Sequence, residues 1–244
     1  MKRVIILISI LAVTLLSSLV ISFVAEITVP RSLRDLSKYY IANTIIDTAS
    51  PESVAAIVWD YRGLDTVYET LVLYLAIVGG LAIFTIKGGF PRGEPMGLTE
   101  LSRNATKIIV LLIATVSAAI AFHGHLTPGG GFPGGSALAV ATMLIIPVYS
   151  VNILLEKGIT STKLVAIRGF ALTGLGLVAL LPVVKGLEIV TNQKFYPGFL
   201  NGVVISGSIS LYNLLEFLAV ASGFTAVALY LSIPEELYKG EVRD

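Results

Sequence analysis

Phe122-His123-Gly124-His125-Leu126-Thr127-Pro128-Gly129-Gly130-Gly131-Phe132-Pro133-Gly134-Gly135 is the stretch on which the reading of the fold turns. From His123 onward it holds two prolines and six glycines in thirteen residues. Such a run cannot continue a helix, because proline lacks the N–H and glycine carries the largest backbone entropy cost. Apolar blocks flank it at 105–122 and 134–155. Each is long enough to span a bilayer core about 30 Å thick at about 1.5 Å rise per residue. The stretch therefore joins two membrane-crossing helices in a tight hairpin whose backbone can approach a neighbour closely. A phosphate-cradling glycine loop fits poorly, since no strand precedes it and no Gly-Lys-Ser/Thr follows.

Four further apolar blocks lie at 4–25, 66–86, 164–184 and 208–233, giving an all-α integral membrane protein of about six transmembrane helices. The composition agrees. Of 244 residues 55% are apolar and 14% charged, and the mean hydropathy is +0.86, which excludes an ordinary soluble domain. A net charge of +1 gives no electrostatic footprint for nucleic acid. With no cysteine and only two histidines, the chain offers no thiolate zinc site, no cysteine-ligated iron–sulfur cluster and no histidine cage. No metal or cofactor is expected in this chain, and any redox centre belongs to a partner.

The first block resembles a secretory signal only superficially. Its uncharged run is 22 residues, against about 7 to 15 for a signal's apolar core, and no small-x-small cleavage site ends it. Basic residues assign the orientation. Lys2, Arg3, Lys87, Arg92, Arg103, Lys107, Lys157, Lys163, Arg168, Lys239 and Arg243 fall on the side of the termini, and Arg31, Arg34, Lys38, Arg62, Lys185 and Lys194 on the other. The eleven-to-six split puts both termini in the cytoplasm. The turn-rich segment 87–95 separates two spans from four and divides the chain into parts 1–97 and 98–244.

The outer segment 26–65 carries its own punctuation. Ser50-Pro51-Glu52 reads as N-cap, first-turn proline and first-turn acid of a short interfacial helix running to about Asp60, with Trp59 and Tyr61 at headgroup level. Next comes Asp60-Tyr61-Arg62-Gly63-Leu64-Asp65-Thr66, in which Arg62 lies between two acids and Gly63 permits a tight turn. Thr66-x-x-Glu69 fits a capping box. Glu69 is also the one ionisable residue in its span, and an intramembrane charge is a functional hypothesis in its own right. A partly desolvated carboxylate can take and release protons near neutral pH.

Glu216 lies about eight residues into the last helix, one turn from Asn213, and at that depth must be protonated, paired or wet. A proton or cation path and an interhelical hydrogen bond both satisfy that. His125 suits either proton transfer or a structural hydrogen bond pinning the glycine turn, and the structural role is preferred. Lys107 and Arg168 lie near cytoplasmic helix ends and are expected to snorkel.

The string from His125 through Pro128, Gly129, Gly130 and Gly131 to Gly134 and Gly135 resembles the signature of the B-type (MnhB/MrpB) subunit of multisubunit Mrp sodium/proton antiporters, over residues of about 100 to 235. The Asp60–Thr66 string with Glu69 resembles the C-terminal helical tail of the large Mrp A subunit. Their fusion is similar to the antiporter module of archaeal membrane-bound hydrogenases and sulfane sulfur reductases. The resemblance implies a non-redox membrane subunit of a complex that couples electron transfer to Na+/H+ translocation. It also implies iron–sulfur clusters and a nickel–iron centre on peripheral partners, and other Mrp-like membrane subunits beside it. In one departure, B subunits often carry an acid where Asn213 stands, and Glu216 lies one turn on. A stand-alone Mrp antiporter is the alternative host. Two other classes remain: a scaffold docking through small-residue faces such as Gly79-Gly80 and Gly174-Leu175-Gly176, and an independent transporter, for which no internal repeat is visible.

Overall fold

The structure, a computed structural model, describes residues 2–28, 32–83 and 98–233, with side chains over 9–24, 32–83 and 98–233. The 87–95 segment, the boundary at 97/98 and, of the charge split, Arg31, Lys87, Arg92, Lys239 and Arg243 lie outside these, as do the side chains of Lys2 and Arg3. Two compact units emerge, Met1–Ile41 and Ala42–Asp244. The first contains α1 (Lys2–Thr28) and the start of α2 (Asp35–Thr48), and everything below concerns the second.

After α2 the chain forms one turn, α3 (Ser53–Ala56), then a π-helical turn at Ile57–Tyr61, then α4 (Gly63–Ile83). Next come α5 (Glu100–Phe122), α6 (Gly131–Tyr149), α7 (Val151–Glu156) and α8 (Ser161–Leu180), which tightens into a 3₁₀ turn over Leu181–Lys185. A two-stranded ribbon, β1 (Phe199–Leu200) and β2 (Val203–Val204), precedes α9 (Ser208–Leu231). Among the described residues five helices, α4, α5, α6, α8 and α9, are long and apolar enough to cross a membrane. The protein is an all-α multi-pass membrane protein.

Helix ends follow local chemistry. The hydroxyls of Thr99 and Thr160 accept from Ser102 N–H and Lys163 N–H at the starts of α5 and α8. The expected fourth span starts at Gly131 rather than Gly134, because glycine and proline are tolerated in a first turn. It also breaks early. Ser150, at φ 75°, interrupts it three residues after Pro147 and then caps α7 through its own hydroxyl. The ribbon turns on Asn201-Gly202, both at positive φ, with Phe199 opposite Val204 and Leu200 opposite Val203.

α9 is the interior helix. It packs on α5, α6, α8 and α4, and buried residues occur all round it, the pattern of a core helix rather than an amphipathic one. One cluster gathers Trp59, Leu175, Ala179, Val190, Ile209 and Tyr212 at its start, and another gathers Val151, Leu154, Leu164, Ala226 and Leu229 near its end. Trp59 is not at headgroup level. It is 2% exposed and stacks on Tyr212 with ring centroids 4.5 Å apart, because burying the indole against a ring is worth more than an interfacial position.

Candidate functional site

The glycine motif works as a packing device. At Gly130 φ is +135°, where a side chain is strained. At Gly131 a Cβ would overlap the Asn213 carbonyl oxygen and come within 2.7 Å of Glu216 Cβ, so only glycine lets the start of α6 lie against α9. Gly135 meets α9 at Phe217 O, and Gly134 meets α5 at Ser117 O. Gly129 lies over Ile120 O, and Pro128 sits at the exposed tip of the hairpin.

That close approach places Glu216 under the N-terminus of α6, where its Oε2 accepts from Phe132 N–H at 2.9 Å. A helix start presents unsatisfied N–H groups and positive partial charge, so a carboxylate is stabilised there. Beside it Asn213, 2% exposed, leaves its Nδ2 without a partner among the described residues.

Asn213 and Glu216 line a cavity of about 550 Å³. Thr66, Glu69, Thr70 and Leu73 of α4 form the facing wall, Val58 and Trp59 the roof, and Gly129, Gly130, Phe132 and Pro133 a side. Three of the four ion-path candidates, Glu69, Asn213 and Glu216, thus share one chamber, and the two carboxylates are near enough to repel each other. Carboxylates in a mostly apolar chamber can exchange protons or attract a cation.

His125 is not among the residues lining that chamber. Its Nε2 meets Val204 O at 3.3 Å, and its carbonyl accepts from Ser50 Oγ at 2.8 Å. Burial, partly opposed by the Val204 hydrogen bond, pushes the imidazole below its ordinary value, so it is neutral at pH 7. It belongs to a latch centred on Asn192. That amide donates to Thr48 O and Ser206 O and accepts from the N–H and hydroxyl of Ser208. Ser206 Oγ completes the latch by donating to Ala49 O.

Several expectations are corrected. Ser50 does not cap the short helix. Glu52 does, accepting from Ala55 N–H, because the Ser50 hydroxyl is drawn to His125 O. Thr66 and Glu69 do not form a capping box, since α4 already begins at Gly63 and Thr66 Oγ1 instead donates to Val58 O at 2.5 Å. Arg62 pairs with Asp65, Nε to Oδ2 2.8 Å, and not with Asp60. Asp60 is turned toward Asn192 and the charge of Asp47, and burial first, then Asp47, pushes it up to about 6. Gly63 is required by packing rather than by a turn, its hydrogens facing the Val190 side chain. Lys107 is exposed and reaches Asn104, as snorkelling requires.

Arg168 does not snorkel. It is 6% exposed, donates from Nη2 to Leu73 O at 3.3 Å and lies 5.0 Å over the Tyr74 ring. Gly223 of α9 makes room for it. Its presence inside a span was the available signal. Asn192 carried none, being an ordinary polar residue of a loop.

A helical membrane subunit with two carboxylates lining one cavity is the class that fold and site define. Residues 101–226 match the family model described as "Domain related to MnhB subunit of Na+/H+ antiporter". The match covers more than half of the chain, which belongs to that family. A relative described as antiporter subunit mnhB2, from Staphylococcus haemolyticus, is 31% identical over 131 residues, 53% of this chain and 92% of its own. An uncharacterized protein of Methanocaldococcus jannaschii is 26% identical over 84% of this chain and 86% of its own.

Among solved structures, a chain of the membrane-bound sulfane sulfur reductase, an archaeal respiratory membrane complex, shares the fold with TM-score 0.71 and 24% identity. That match covers 94% of this chain and 98% of that one. A chain of the Mrp complex from Dietzia sp. matches with TM-score 0.65 and 21% identity, over 96% of this chain and 26% of that one.

Proposed function

We propose that this chain is a membrane subunit of an Mrp-type cation/proton antiporter module within an archaeal respiratory complex, a hydrogenase or sulfane sulfur reductase, and that Glu69 and Glu216 form a station on its ion path. The observation that carries the ion path is the chamber that both carboxylates line. The host complex is favoured by the extent of the likeness. The Mrp-complex chain extends far beyond this one, being covered over only 26% of its length, whereas the sulfane sulfur reductase chain is covered over 98% of its own and 94% of this one.

In this reading the chain holds no redox centre. Iron–sulfur clusters and a nickel–iron or other terminal site lie on peripheral partners, while Mrp-like membrane subunits flank it in the cytoplasmic membrane with both termini inside. Membrane helices without cysteine suit that division of labour, since they can move charge but cannot ligate a cluster.

Isolation of the complex from native membranes tests the host. Co-purification with iron–sulfur and nickel or flavin subunits is expected. A purely membrane-embedded set of partners would assign the chain to a stand-alone antiporter instead.

A further inference from the structure

Arg168 is an ionisable group that the two-carboxylate station leaves unused. It is 94% shielded, with relative exposure of 6%, and sits in the eighth position of a 20-residue span. It donates one hydrogen bond to Leu73 O and lies over the face of Tyr74, its Nε has no partner, and no carboxylate pairs with it among the described residues. A guanidinium kept charged and unneutralised inside a span is a functional hypothesis by default.

Its place relative to the chamber is informative. Leu73, which receives its hydrogen bond, lines the chamber one turn past Glu69. On α9, Gly223 lies against its guanidinium, with a Cβ there 3.3 Å from Cζ, and stands seven residues past Glu216 and one turn past Val220, which also lines the chamber. α4 and α9 both run from the hairpin end inward. At about 1.5 Å per residue Arg168 therefore lies about 6 Å beyond Glu69 and about 10 Å beyond Glu216, on the side away from the hairpin. A fixed positive charge there repels any cation that would continue inward, as a pore-lining arginine excludes cations elsewhere.

We propose that Arg168 is an electrostatic seal that makes the Glu69–Glu216 chamber a half-channel, open to ions from the hairpin side only. The proposal rests on the reading of that chamber as part of an ion path, but its test reads access rather than turnover, so the two can fail separately.

Because the chain lacks cysteine, Thr70→Cys puts one thiol on the chamber wall. In the intact complex, in sealed vesicles of each orientation, a membrane-impermeant trimethylammonium thiol reagent should label it from one side only, the side of the hairpin. Comparable labelling from both sides overturns the proposal. Passive sodium leak through the assembled complex is the second readout. Arg168→Gln should raise it roughly tenfold, the factor one charge about 10 Å away imposes at an effective dielectric constant of about 20, and Arg168→Lys should keep it low. An assembled glutamine variant with wild-type leak overturns the seal. Should that variant fail to assemble, one-sided labelling of the Arg168 protein supports the seal and two-sided labelling defeats it.

Discussion

On the α6–α9 wall of the chamber Glu216 is 7% exposed and its Oε2 is engaged by Phe132 N–H. On the α4 wall Glu69 is exposed, and no hydrogen bond or ion pair holds it among the described residues. The first wall is built from glycines that admit no added atom, at Gly131 and Gly135, whereas the glycines of α4, Gly79 and Gly80, have open space around them. The difference assigns roles. A carboxyl group clamped by a helix start stays where it is, while one on a loosely packed wall can turn toward the ion it meets. It also explains why two adjacent acids need not be equivalent.

The largest expected effect breaks the tight wall. Gly131→Val should eliminate the subunit from membrane complexes, since overpacking costs about 1 to 3 kcal/mol even where neighbours can yield, and here the neighbours include the Asn213 backbone. Gly79→Ala, on the loosely packed α4 beyond the chamber, should leave thermal stability unchanged or slightly higher. If both variants behave alike, the contrast between the walls is wrong.

Next in size is the latch that ties Thr48 and Ala49 to the start of α9. Asn192→Ala strands the Ser208 N–H and two carbonyls in a buried site. Unmet buried groups cost about 1 to 3 kcal/mol each, so a loss of about 2 to 3 kcal/mol should appear in thermal unfolding. Retained stability would mean the latch contributes nothing.

A smaller effect has the opposite sign. Asp60 has its folded value raised from 3.8 to about 6, so the folded state holds the proton more tightly, and the stability this provides is present at low pH and lost as pH rises toward and past 6. Asp60→Asn should therefore stabilise the protein at pH 8, by about 1 kcal/mol once solvent screening is allowed for, and much less at pH 5. Melting curves of both proteins at the two pH values decide.

The smallest expected change is His125→Asn. Asparagine retains a donor and an acceptor, so assembly and the pH profile of flux should persist. The folded imidazole is shifted below 6.5, so the unfolded chain binds its proton more readily and the wild type should lose stability as pH falls below about 6.5. The variant should lack that part of the acid sensitivity. A collapsed flux in an assembled His125→Asn complex would make the histidine a proton carrier.

Much of this was legible from the sequence, and the remainder fails for identifiable reasons. Hydropathy located α4, α5, α6, α8 and α9 because membrane helices must satisfy their backbone internally and cover themselves with apolar side chains. The glycine string announced a close approach. What hydropathy cannot give is which face meets which helix, since a span that is apolar all round has no polar side to orient it. Trp59 was placed at the interface and Arg168 at a helix end for that reason, although stacking on Tyr212 and the space left by Gly223 draw both inward. Local rules misplaced Ser50 and Thr66 in a similar way, because their hydroxyls serve His125 O and Val58 O rather than the nearest helix start. Glu69, Asn213 and Glu216 were each visible as polar residues in apolar spans. Their meeting in one chamber required the packing.

The central claim is that Glu69, the unclamped acid, moves charge. Glu69→Gln preserves size and hydrogen-bonding capacity but can carry neither a proton nor a negative charge. Sodium and proton flux should be measured in vesicles containing the complex, with the variant subunit at wild-type abundance. The account predicts that both fluxes fall at least tenfold while assembly is unchanged, a transition-state loss of about 1.4 kcal/mol or more. Full flux at wild-type assembly would contradict it and leave Glu69 as an ordinary residue on the wall of a structural subunit.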